Sequence, residues 1–127
     1  MRPEKLMIGD WVSLFQGNPD LSSCNVQVAF IGEYGEVGIE GCEEYTSANC
    51  NLLFPIPITV EFLEKHGLEQ INTDYYDLDV FEADDGLWRV VYSNLERSVF
   101  DERVLVSSVH ELQHFLRHVG IDKDIEI

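Results

Sequence analysis

The run Pro55-Ile56-Pro57-Ile58 constrains the fold of this chain more than any other stretch. Each proline disfavours helix in the residue before it, so these four positions are extended. They mark a seam between two halves of different character. Before the seam, short apolar runs alternate with glycine-rich turns. After it, the pattern becomes helix, hairpin, strand and helix.

In the first half, Trp11–Gln16 and Asn25–Ile31 alternate or run apolar and read as strands, separated by the turn cluster Gly17-Asn18-Pro19-Asp20. Gly32, Gly35, Gly38 and Gly41 punctuate a short strand near Val37–Glu40, as small curved barrels or meanders place glycine at tight bends. Past the prolines, Thr59 caps a short helix from Val60 to about His66, with Phe62 and Leu63 on its buried side and Gly67 as its stop. His66, beside that stop, reads as a helix C-terminal residue and not a ligand. Tyr75–Glu82 and Leu87–Ser93 flank Ala83-Asp84-Asp85-Gly86, whose Asp-Gly pair supplies the positive φ of a tight hairpin. A strand over 99–106 leads into an amphipathic helix over 108–119 that Gly120 ends, and 124–127 offers a short edge strand. No internal repeat or long linker intervenes. The expectation is one compact α+β domain over 1–127, with a β-rich half at 1–54 (a small barrel or meander). The α+β half at 55–127 holds a short helix, a β-hairpin plus strand and a C-terminal amphipathic helix.

Charge narrows the partners. Twenty-four acids against eight Lys plus Arg give a net charge of −16, which argues against binding a nucleic-acid backbone or an anionic membrane. No run of about 18 apolar residues exists for a spanning helix, and 1–15, broken by Gly9-Asp10, has no signal-peptide core. Cys24, Cys42 and Cys50 are odd in number and lack C-x-x-C spacing, so they read as reduced, packed thiols of a cytoplasmic protein. The acids cluster. Glu69, Asp74, Asp77, Asp79, Glu82, Asp84 and Asp85 follow one another with no base between them. Glu33, Glu36, Glu40, Glu43 and Glu44 sit in the glycine-rich stretch. A solvated, solubilising surface is the stronger reading. The sharper one is a docking face for a basic partner, including mimicry of nucleic acid. Calcium fits poorly, since aligning Gly86 with the EF-hand glycine puts Phe81 and Ala83 where ligands belong.

One stretch names a chemistry. His110-Glu111-Leu112-Gln113-His114 spells H-E-x-x-H, in which two imidazoles one helical turn apart hold Zn²⁺ and the Glu serves the bound water as general base. The helical wheel opposes it. At about 100° per residue, Val109, Leu112, Phe115, Leu116 and Val119 share an arc of about 120°, and His110, Gln113, His114, Arg117 and His118 fall opposite. The apolar stripe must pack inward, so the histidines are expected to face water. Ser108-x-x-Glu111 is also a capping box, in which Glu111 reaches back to the backbone N–H of the cap. The extended motif wants Gly at 117 and His at 120, where this chain has Arg117 and Gly120, and only Asp122, Asp124 and Glu126 follow as distant acid ligands. The expectation is no catalytic residue, no metal ligand and no cofactor. A weak grip of metal by exposed His110, His114 and His118 would be adventitious.

Three blocks in this order carry a resemblance: Met7-Ile8-Gly9-Asp10-Trp11-Val12, then Pro55-Ile56-Pro57-Ile58-Thr59-x-x-Phe62-Leu63-Glu64-Lys65-x-Gly67, then Val109-His110-Glu111-Leu112-Gln113. Together they cover about a fifth of the chain. The chain resembles a family of small uncharacterised proteins of gut-dwelling anaerobic bacteria and of their phages and mobile elements. The resemblance brings no activity and no site residues with it. It does imply that the second histidine is peculiar to this member, because the family's last block commonly has Asn where this chain has His114. Two classes of function follow from the sequence. One is a non-enzymatic cytoplasmic accessory or interaction protein of phage or mobile-element origin, working through an acidic or aromatic surface on an unknown protein partner, a basic one if the surface is acidic. The alternative is a zinc-dependent hydrolase using His110, Glu111 and His114.

Overall fold

The computed structural model describes Met1 and residues 5–15, 24–42, 45–84, 86–96, 101–123 and 125. The expected turn at 17–20 lies outside these residues, as do three of the four positions of the expected edge strand at 124–127. The chain divides into two compact units, Met1–Ile56 and Pro57–Ile125, and the division falls within the Pro55–Pro57 stretch.

The first unit is an antiparallel sheet of β1 (Trp11–Leu14), β2 (Cys24–Ile31), β3 (Glu36–Glu40), β4 (Ser47–Asn49) and β5 (Leu53–Phe54), in the order β4-β3-β2-β1-β5. The two edge strands, β4 and β5, are separated only by the 3₁₀ turn Cys50–Leu52. Four strand spacings in a flat sheet would hold those edges about 19 Å apart. The four residue steps from Asn49 to Leu53 span at most about 14 Å, and less in a 3₁₀ turn. The sheet must therefore curl. A register shift between Val28 and Phe30 bends β2 to help it do so. Leu6, Val12, Leu14, Val26, Val28, Val37, Ile39, Cys50 and Leu53 form the buried cluster of the unit, with Cys24 and Cys42 packed against it. All three thiols are free.

The first block of the resemblance is a turn that ties the chain to β2. Asp10 is buried; its Oδ2 accepts from the Met7 N–H (2.8 Å), and its backbone N–H donates to the Met7 carbonyl (3.1 Å). Gly9, at φ 94°, donates to the Val28 carbonyl, and the Val28 N–H donates to the Asp10 carbonyl, both at 2.8 Å. A side chain at the Gly9 φ would be strained, which explains the Gly-Asp pair.

The second unit opens with α1 (Val60–His66). The Thr59 hydroxyl accepts from the Phe62 N–H at 3.1 Å, and Gly67 ends the helix in the left-handed region. A four-stranded antiparallel meander follows: β6 (Gln70–Asn72), β7 (Tyr76–Glu82), β8 (Trp88–Asn94) and β9 (Asp101–Val106), with α2 (Val109–His118) after it. Gly86, at φ 80°, sits in the β7–β8 turn, which the Ala83 N–H closes on the Leu87 carbonyl. Alternation sorts the sheet: Leu78, Val80, Trp88, Val90 and Val106 are buried, whereas Phe81, Arg89, Arg103 and Leu105 are exposed. The architecture is α+β with a β-rich first half. Strands β4, β5 and β6 were not legible in the sequence. At two or three residues each, they carry too little alternation to register.

Candidate functional site

The H-E-x-x-H stretch begins α2 directly after β9. An isolated antiparallel bridge pairs Pro57 with Ser108, the residue before α2. The histidines do not all face water. His110 is 6% exposed and Gln113 is 7% exposed, His114 is half-buried, and only His118 of the three in α2 is exposed. This corrects the helical-wheel expectation. The wheel accounts for the side that the apolar stripe covers, but the chain at Pro57 runs beside the helix start as well. Burial reaches past the apolar stripe to His110 in the first turn and to Gln113 beyond it. Leu112, Phe115 and Leu116 are buried as the stripe requires.

The polar atoms here are engaged with one another. The Ser108 hydroxyl, 1% exposed as a residue, donates to Glu111 Oε1 at 2.9 Å. The Ser107 hydroxyl donates to the same oxygen at 2.8 Å. His110 Nδ1 lies 3.0 Å from Ser108 Oγ. With the serine proton committed to Glu111, Nδ1–H must be the donor in that contact. The capping box thus takes another form than the sequence suggested: Glu111 holds the two serine hydroxyls, and the Ser108 side chain caps no backbone N–H. Burial pushes the Glu111 carboxyl up. The hydrogen bonds from Ser107 and Ser108, the charge on His110 and the Ser107 backbone outweigh this and hold it below the ordinary carboxylate value.

These contacts limit what the motif can do. A general base needs a carboxylate aimed at a metal-bound water, and the engaged oxygen of Glu111 already accepts two hydroxyl protons. His110 has one ring nitrogen on Ser108, and its ring meets that of His114 edge to face at 5.6 Å. His118 reaches away to Glu102, Nε2 to Oε2 at 3.4 Å. Among the described residues, no three His, Cys, Asp or Glu side chains come together to hold a metal ion. In α1, His66 Nδ1 donates to the Phe62 carbonyl at 2.9 Å, and the His66 ring lies 4.6 Å from that of Phe62, a helix C-terminal role.

The acidic run is brought together in part. Asp77 and Asp79 lie on one face of β7 opposite Ser93 and Val91, with Asp101 and Arg103 next across the sheet. The Ser93 hydroxyl donates to Asp101 Oδ1 at 2.7 Å. Asn72 and Gln70 of β6 extend the same rows. Asp84 is exposed in the turn, and Asp85 lies outside the described residues. Sequence reasoning missed Asp101, because only the β8–β9 register carries it to Asp77 and Asp79. In the first unit, Glu33, Glu36 and Glu40 are exposed, and Glu43 and Glu44 lie outside the described residues. No helix is long and apolar enough to cross a membrane among the described residues. No protein-family model matches the chain, and no curated protein and no solved structure is significantly similar to it.

Proposed function

We propose that this protein is a non-enzymatic accessory protein of the cytoplasm that works by binding a basic protein partner through an acidic surface. The observation that carries this reading is the use made of Glu111. The residue that a zinc hydrolase would spend on activating water instead ties Ser107 and Ser108 to the start of α2. Asp77, Asp79 and Asp101 lie on one face of a sheet that also carries Arg89 and Arg103, the latter 3.9 Å from Asp101, and the net charge of −16 over the whole chain makes its surroundings favour cations and repel phosphate backbones. The resemblance of the three sequence blocks to proteins of anaerobes and their phages supports an origin in a mobile element.

A pull-down from host lysate with wild-type protein and a variant carrying Asp77→Asn, Asp79→Asn, Asp84→Asn and Asp85→Asn tests the reading. The expected result is a basic protein that the wild type retains at low salt and releases as salt rises, and that the variant fails to retain. Identical captured sets from the two proteins would reduce the acids to a solubilising role.

A further inference from the structure

The first unit carries a second surface that the acids of the hairpin do not explain. Past the register shift in β2, Phe30 stands opposite Gly38 on β3. Its ring fills the space a Cβ on Gly38 would need: that atom would fall 2.1 Å from the Phe30 ring. The absent side chain is what seats the ring against the strand, yet Phe30 remains 51% exposed. Glu36 and Glu40 are two residues either side of Gly38, so they project from the same face of β3, each about 7 Å along the strand. The connection from β2 to β3 carries Glu33 and Tyr34, both exposed. Tyr34 is 97% exposed and holds a left-handed backbone, φ 59°. A tyrosine there gains nothing from burial and takes a conformation that non-glycine residues disfavour.

We propose that the Phe30–Gly38 platform docks an arginine-bearing segment of a basic partner protein. An exposed ring with a carboxylate to each side suits a planar cation. A guanidinium can stack on the ring while its N–H fork meets a carboxylate. An ammonium group is more strongly hydrated and cannot stack in that way. The net charge of −16 favours approach of such a segment and disfavours an acidic one. This surface belongs to the first unit and the Asp77–Asp79 face to the second, so either can fail without the other.

The test is calorimetric titration of the full-length protein at low salt with three synthetic eight-residue peptides: alternating Arg-Ser, alternating Lys-Ser and alternating Glu-Ser. The arginine peptide is expected to bind, the lysine peptide about threefold or more weakly, and the acidic peptide not at all. Phe30→Leu, which keeps an apolar cover on Gly38 but removes the ring face, should weaken the arginine peptide about fivefold or more. Glu36→Gln with Glu40→Gln should weaken it and flatten its salt dependence, whereas Asp77→Asn with Asp79→Asn should leave it unchanged. Circular dichroism checks that each variant is folded; if Phe30→Leu is not, Phe30→Tyr should retain arginine binding and the Glu36/Glu40 pair decides. No binding of the arginine peptide, equal binding of the lysine peptide, or loss through Asp77 and Asp79 alone would each overturn the proposal.

Discussion

At the scale of single residues, Glu111 is the side chain whose protonation has the clearest structural consequence. Its carboxyl ionises at lower pH in the folded chain than in the unfolded one. Its contribution is therefore complete above the unfolded value and is lost as pH falls through the folded one. Glu111→Gln should lower the urea midpoint at pH 7, and the gap to wild type should close in acid, where both side chains are neutral. A gap of equal size at both pH values would mean that the charge plays no part. The histidines separate in the same way. His110→Ala removes the donor to Ser108 from a buried site and should cost about 1–3 kcal/mol. His114→Asn, at a half-buried position, should cost under about 1 kcal/mol and leave zinc content well below one equivalent. Stoichiometric zinc that survives chelator dialysis, together with a large stability loss in His114→Asn, would favour the hydrolase. Gly38→Ala forces the Phe30 ring aside, and because that ring is half-exposed it can swing into solvent, so the cost by thermal unfolding should stay under about 1 kcal/mol.

At the scale of elements, α2 is held by its stripe and its start together. Leu112 and Leu116 are buried in the second unit, and Leu112→Ala or Leu116→Ala should each cost about 2–5 kcal/mol in chemical denaturation. A cost below about 1 kcal/mol would mean that the helix packs loosely on its unit. Both helices were legible because their boundaries are written in local chemistry. Thr59 and Gly67 bracket α1, and Gly120, at φ 80°, follows the end of α2, whereas Ser108 marks its start without capping a backbone N–H. The long strands β2, β7 and β8 were legible from apolar runs and from the Asp-Gly turn. The three short strands were not, because pairing defines them and pairing is not local.

At the scale of the whole molecule, the charge is the dominant fact. With −16 on 127 residues, self-repulsion opposes the folded state most in dilute buffer. The screening length falls from about 30 Å at 0.01 M salt to about 10 Å at 0.1 M. The melting temperature should therefore rise with sodium chloride over that range, and the variant with four Asp→Asn changes should start higher and rise less. A melting temperature indifferent to salt would show that the acids are too dispersed to repel one another appreciably.

The sequence by itself determined the α+β class, the seam at the prolines, the helix ends and the glycine turns, since all of these depend on the conformations open to a few neighbouring residues. It also determined the excess of acid. Only the tertiary structure decided which side of α2 is covered beyond its apolar stripe, where the Glu111 carboxylate points and which acids share a face. Those outcomes depend on residues far apart in the chain. Pro57 beside Ser108 accompanies the burial of His110, Asp101 reaches Asp77 only through the register of β8, and Phe30 lies on Gly38 only because β2 is bent. A helical wheel or a charge count treats each element alone, and packing between elements fixes what each side chain meets.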